Sequence, residues 1–113
     1  MLILTASVIA FLATGPEISK PDAAEIRQGR ALAQQQCGAC HAVGPTGKSP
    51  RAPAPPFRQL GSRFDIEAMP EALAEGISVG HPEMPQVIWE ARDIEAFMAY
   101  LRTLQPLRPR ISR

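Results

Sequence analysis

Cys37-Gly38-Ala39-Cys40-His41 is the stretch from which the rest of this chain is read. A C-x-x-C-H run is the attachment signature of c-type haem. The spacing follows from the chemistry. Two thiols one helical turn apart can add to the two vinyl groups of a porphyrin as thioethers. The imidazole that comes next then lies under the iron as its proximal ligand. Gly38 and Ala39 are small, so the backbone between the thiols can approach the ring edge.

Three other uses of these residues compete with haem. A thioredoxin-like dithiol expects a βαβ pattern nearby, and no strand-rich segment is present. A closed zinc site takes four ligands. With two Cys and two His in the chain, it would need Cys37, Cys40, His41 and His81 together. The adjacency of Cys40 and His41 suits a tetrahedron poorly. A disulfide across two intervening residues would be strained and would stabilise little. Haem is the reading that uses both the spacing and the histidine.

Working toward the N-terminus, Asp22 and Glu25 form a capping-box pattern ahead of a helix predicted from about Ala23 to Cys40. Ile26, Gly29, Ala33 and Cys37 make its small or apolar stripe. A glycine within a helix costs up to about 1 kcal/mol relative to alanine, so another backbone or a ring is expected to approach at Gly29. Residues 16–21 read as a linker with two prolines. Residues 1–15 carry no charged side chain, and Leu2 to Ala13 is apolar except for Thr5 and Ser7. That is the length of a signal-peptide core and short for a membrane span, although no Lys or Arg precedes it. A retained anchor and a buried helix are the alternatives. The 113 residues fit one domain, assigned to residues 22–106, with a basic tail at 107–113.

On the C-terminal side, periodicity disappears from Ala42 to Arg63. Gly44 to Pro50 is turn chemistry, and Pro53, Pro55 and Pro56 oppose a helix. An irregular loop is expected here, with Phe57 and Leu60 packing on a haem edge. Asp65 to Gly76 resumes helical spacing through Met69, Leu73 and Ile77 just beyond, with Pro70 in the first turn. A last helix is predicted from about Ala91 to Leu104. Its apolar face is Ile94, Phe97, Met98, Leu101 and Leu104.

Between these helices lies Val79-Gly80-His81-Pro82-Glu83-Met84-Pro85. His81 and Met84 each precede a proline and are biased to extended backbone. Both are candidates for the iron's second axial position. Met84 is favoured, because Pro85 stiffens the ligand residue itself. A thioether opposite imidazole raises the reduction potential, whereas a second imidazole would lower it. Met69 and Met98 lie on apolar helical faces and read as core.

The net charge is +1, and no basic helix or aromatic platform points to nucleic acid. The charges are unevenly spread. Residues 42–63 carry Lys48, Arg51, Arg58 and Arg63 with no acid; residues 65–95 carry eight acids against Arg92 alone. These are either ordinary solvated faces or a dipolar surface that steers a charged redox partner. No Ser-His-Asp or paired-carboxylate arrangement argues for substrate chemistry.

On these residues the chain resembles the small bacterial single-haem class I cytochromes c, from about Ala23 to Leu104. The resemblance implies an all-α fold of three to four helices around a covalent haem, with the terminal helices crossing at Gly29 against Phe97 and Tyr100. It implies one haem c held by Cys37 and Cys40, with iron ligated by His41 and Met84. It assigns Pro55 as the carbonyl that accepts the His41 imidazole N–H, and Phe57 as a residue packing on the haem. Ala33 stands where many members carry an aromatic, so Leu32 or the partner helix is expected to fill that contact. No propionate-binding Trp stands at the usual place, and Trp89 is expected beneath the Met84 loop. The implied role is a monomeric electron carrier cycling Fe(II) and Fe(III), not an enzyme. Its expected partners are redox proteins such as an oxidase, reductase or dehydrogenase. Its expected location is the periplasm, at the membrane if the leader is retained. The alternative role is a haem subunit or sensor of a larger respiratory or dehydrogenase complex.

Overall fold

A computed structural model of the protein describes residues 9, 10, 12, 14, 15, 17, 19–76 and 83–107. Most of the apolar leader, Ile77, His81 and the tail from residue 108 onward lie outside them. In chain order the helices are α1 (Ala23–Cys37), α2 (Leu60–Arg63), α3 (Met69–Glu75) and α4 (Ala91–Thr103). Single 3₁₀ turns occur at Phe57–Gln59 and Ile66–Ala68. Among the described residues there is no strand, and the fold is all-α. No helix among them is long and apolar enough to cross a membrane.

Helix α1 starts where its cap dictates. The Asp22 carboxylate accepts a hydrogen bond from the Glu25 amide at 2.8 Å and satisfies one of the open donors of the first turn. The helix ends at Cys37, three residues earlier than the spacing suggests. The His41 amide still donates to the Cys37 carbonyl at 2.9 Å. The next groups are claimed by the following loop. The Cys40 carbonyl accepts from the Arg51 amide at 3.1 Å, and the Ala42 amide donates to Ser49 Oγ at 3.0 Å. Residues 38–41 are therefore a turn continuing the helix, not its last turn.

The loop is also shorter than expected. The Phe57 amide donates to the Ala42 carbonyl at 2.9 Å and closes residues 42–57 into a compact Ω-loop. Beyond Pro56 no proline opposes helical geometry, and the chain turns at once through Phe57–Gln59 into α2. Phe57 and Leu60, 4% and 6% exposed, are buried by this turn.

Three observations fix α3 and the segment after it. Asp65 caps the 3₁₀ turn by accepting from the Glu67 amide at 3.1 Å, and Pro70 lies in the first turn of α3. Gly76 stops the helix with φ 71°, a left-handed conformation that favours glycine. The Trp89 amide then donates to the Leu73 carbonyl at 3.2 Å, tying the returning chain to α3.

The core is the crossing of α1 and α4. Ala33 and Leu101 are fully buried, and Phe97 and Met98 nearly so. A β-carbon placed on Gly29 would lie 1.9 Å from the Ala96 carbonyl oxygen and 2.8 Å from Tyr100 Cβ. The helices thus touch backbone to backbone at Gly29, on Ala96 and Tyr100. Phe97, expected at that contact, turns away. Its ring meets Phe57 edge-on at 5.9 Å and Trp89 at 5.0 Å. Trp89 thereby packs on α4. Leu32 is only half-buried and stands apart from the core, so side chains of α4 close over Ala33.

Gln105 joins the end of α4 to the Ω-loop's exit. Its Nε2 donates to the Phe57 and Leu101 carbonyls at 2.9 and 3.0 Å, and its Oε1 accepts from the Gly61 amide at 2.8 Å. Truncation would remove all three bonds, although the Phe57 and Leu101 carbonyls would each keep a backbone donor, Leu60 and Leu104. Gln105→Ala should lower stability by about 2 kcal/mol, read as the urea midpoint, since each such bond is worth about 0.5–1.5 kcal/mol net. An unchanged midpoint would mean that water replaces the amide at no cost.

Candidate functional site

One apolar cleft gathers most of the residues singled out in the sequence. Cys37, Ala39, Cys40 and His41 supply one wall of it, and Met84, Pro85 and Val87, from a separate segment of the chain, supply a second. The cleft holds about 600 Å³ of empty space, counting its open mouth. The first wall exists because α1 delivers Cys37 at its last residue and the following turn delivers Cys40 and His41. The second wall turns at Glu83 and bends at Met84, where extended chain was expected ahead of Pro85, and has no regular structure from there to α4.

His41 is oriented from behind. Its Nδ1 lies 2.8 Å from the Pro55 carbonyl oxygen. A carbonyl only accepts, so Nδ1 carries the proton and donates. Nε2 keeps its lone pair, which is the state a metal ligand needs. The Ω-loop supplies this carbonyl because Pro55 comes just ahead of the Phe57–Ala42 closure. Phe57 packs 5.3 Å from the imidazole, ring to ring, and lies behind it, away from the cleft lining. Tyr100 adds a further tie. Its hydroxyl donates to the Val43 carbonyl at 2.5 Å, two residues past His41. Burial holds the Tyr100 hydroxyl above the usual phenol range, partly offset by Arg30.

The two cysteines are free thiols, both half-buried. Burial pushes the Cys37 thiol up to about 11. Such a thiol is protonated near neutral pH and makes a poor redox nucleophile or zinc thiolate. Among the described residues, no group of three or more His, Cys, Asp or Glu side chains is arranged to hold a metal ion. The dithiol and zinc uses of the motif therefore gain no support here.

A haem fits these residues. The cleft is apolar and open to solvent, and its lining supplies two thiols, an imidazole with its tautomer fixed and a thioether. Cys37, Cys40, His41 and Met84 come together in the cleft, while Pro55 and Phe57 support it from behind. His81 lies outside the described residues. Met98 is 1% exposed in the core, and Met69 packs against the core's edge.

Sequence reasoning missed Ala54, Arg51, Glu83 and Val87 in the lining. Ala54 had a faint signal, standing next to Pro55. Arg51 and Glu83 were visible only as members of a basic and an acidic run. Nothing in either run says that the two side chains form an ion pair across the mouth of the cleft, as they do.

Compared with known proteins, residues 26–105 match the family described as cytochrome c. No curated protein and no solved structure shows a match to the chain.

Proposed function

The chain belongs to the cytochrome c family, and from that premise we propose that it carries single electrons between redox proteins through one covalent haem c. Cys37 and Cys40 would hold the porphyrin as thioethers, His41 would supply Nε2 to the iron, and Met84 would supply its sulfur. The observation that carries this reading is the cleft itself, which brings both thiols, His41 and Met84 into one lining, with Pro55 fixing the imidazole. The order of its parts, attachment motif, Met84-Pro85 and then the α4 face, supports a reading as one of the small bacterial class I type.

When bound, the haem supplies a one-electron Fe(II)/Fe(III) couple. The protein's own work is to set the conditions of that couple. His41 is held in one tautomer by Pro55, so no proton moves at its ring when the iron changes charge. Met84 supports the reduced state, because a thioether opposite imidazole raises the potential. The apolar walls exclude water and penalise the extra positive charge of the ferric state, which acts in the same direction. With His41 and Met84 both ligating, a bound haem would keep no open position for substrate, which supports a carrier over an enzyme. The open side of the cleft offers an edge for electron exchange with a partner. The chain acts as a monomer in the periplasm, exported by its apolar leader or held at the membrane if the leader stays.

Protein made in a host that matures c-type haem tests this directly. Oxidised and reduced optical spectra should be those of a low-spin c-type haem. The colour should stay with the polypeptide through acid–acetone extraction. Colourless protein, or haem that extracts, would overturn the proposal.

A further inference from the structure

Arg51 and Glu83 meet across the mouth of the cleft as an ion pair. Both residues are part of its lining, Arg51 from the Ω-loop and Glu83 from the segment that carries Met84. Arg51 is firmly placed: its amide donates to the Cys40 carbonyl at 3.1 Å, and its own carbonyl accepts from the Ala54 amide at 3.0 Å. Its backbone is therefore tied to the turn that carries Cys40 and His41. Glu83 directly precedes Met84, so a movement that withdraws the Met84 sulfur from the cleft also carries Glu83 away from Arg51. Among the described residues the other ion pair, Glu67 with Arg102, joins the turn before α3 to α4 and does not touch the cleft.

We propose that Arg51 and Glu83 are positioning residues for Met84, their ion pair clasping the two walls and slowing exchange of the Met84 sulfur for an external ligand. This rests on the reading above in which Met84 ligates the iron. The side chains are 42% and 60% exposed, so the clasp is a modest one and is screened by salt. An exposed pair shifts such an opening equilibrium by about 1.4- to 5-fold. The purpose of so small a term is kinetic. It acts on the step in which the second wall lifts and leaves the electron couple itself in place.

Imidazole entry into the ferric holoprotein measures that step. Arg51→Gln and Glu83→Gln should each admit imidazole about 1.4- to 5-fold faster than the parent at low salt. At about 1 M salt, where the Debye length is about 3 Å, the parent should rise to the rate of the two variants. The exchanged pair, Arg51→Glu with Glu83→Arg, should return the rate toward the parent's, and Glu67→Gln should leave it unchanged. Single variants at the parental rate, a parent indifferent to salt, or an exchanged pair as fast as the singles would overturn the clasp. If the exchanged pair does not mature, the salt series on the parent and single variants decides alone. Met84→Leu separates the two levels of the argument. Fast imidazole entry there, beside unaltered Arg51→Gln and Glu83→Gln, overturns the clasp only. Entry no faster than the parent's removes Met84 as ligand, and the clasp with it.

Discussion

Gly29→Val should leave little folded protein, and Gly29→Ala should cost about 3 kcal/mol, at the upper end of overpacking penalties. Alanine is ordinarily the better helix former by about 1 kcal/mol, so propensity alone predicts a gain. Packing reverses the sign. The added carbon would lie 1.9 Å from the Ala96 carbonyl oxygen and 2.6 Å from its carbon. Both are backbone atoms of α4 and cannot rotate aside. Relief requires α1 and α4 to separate, which loosens the layer in which Ala33, Phe97, Met98 and Leu101 are buried. A domain of this size has about 5–15 kcal/mol in total. The two further methyl groups of valine would meet the same wall. Urea unfolding followed by helical circular dichroism measures the loss, and a Gly29→Ala protein as stable as the parent would show that the helices cross elsewhere. The effect reaches the site, because α1 ends in Cys37 and Tyr100 of α4 holds Val43 two residues past His41.

Local chemistry was legible where one residue type does one job. The Asp22 cap, the Gly76 stop, the α4 face and the close approach at Gly29 all follow from short-range rules, and the structure agrees with each. The limits appear where distant residues complete a bond. The end of α1 at Cys37 depends on Arg51 and Ser49 taking groups that a longer helix would have kept. The helical turn at 57–63 depends on Gln105, more than forty residues away, which has no periodicity to advertise it. The resemblance implied Phe97 and Tyr100 against Gly29; Tyr100 is there, but the nearest atoms are those of Ala96, while the Phe97 ring packs on Phe57 and Trp89. The site shows the same division. Cys37, Cys40 and His41 were singled out by spacing alone, and the structure brings all three into one cleft. The Arg51–Glu83 pair links two runs whose opposite charges suggested a surface for partners, and the structure uses one charge from each run on the other. Among the described residues, Lys48 and Arg63 of the basic run are exposed, and Arg58 donates to the Gly47 carbonyl.

Met84→Leu should lower the reduction potential and open the iron to carbon monoxide and imidazole. Leucine keeps the size and apolar character of the wall but has no lone pair, so packing changes little while a ligand is lost. The thioether supports the ferrous state. Without it the ferric state is relatively favoured, and the potential falls by a substantial part of the roughly 0.8 V that axial ligands span. The sixth position becomes weakly held or vacant, and carbon monoxide should bind the ferrous protein rapidly and completely. Stability against urea should fall less than for Gly29→Ala, since Met84 is half-buried at a cleft wall and outside the α1–α4 core. That contrast distinguishes a ligand from a packing residue: the spectrum and potential move far while the fold moves little. An unchanged spectrum and potential would remove Met84 from the iron and leave His81, the other proline-flanked donor of the same loop, as the residue to replace next. A potential that rises would contradict the thioether argument itself, whichever residue occupies the site.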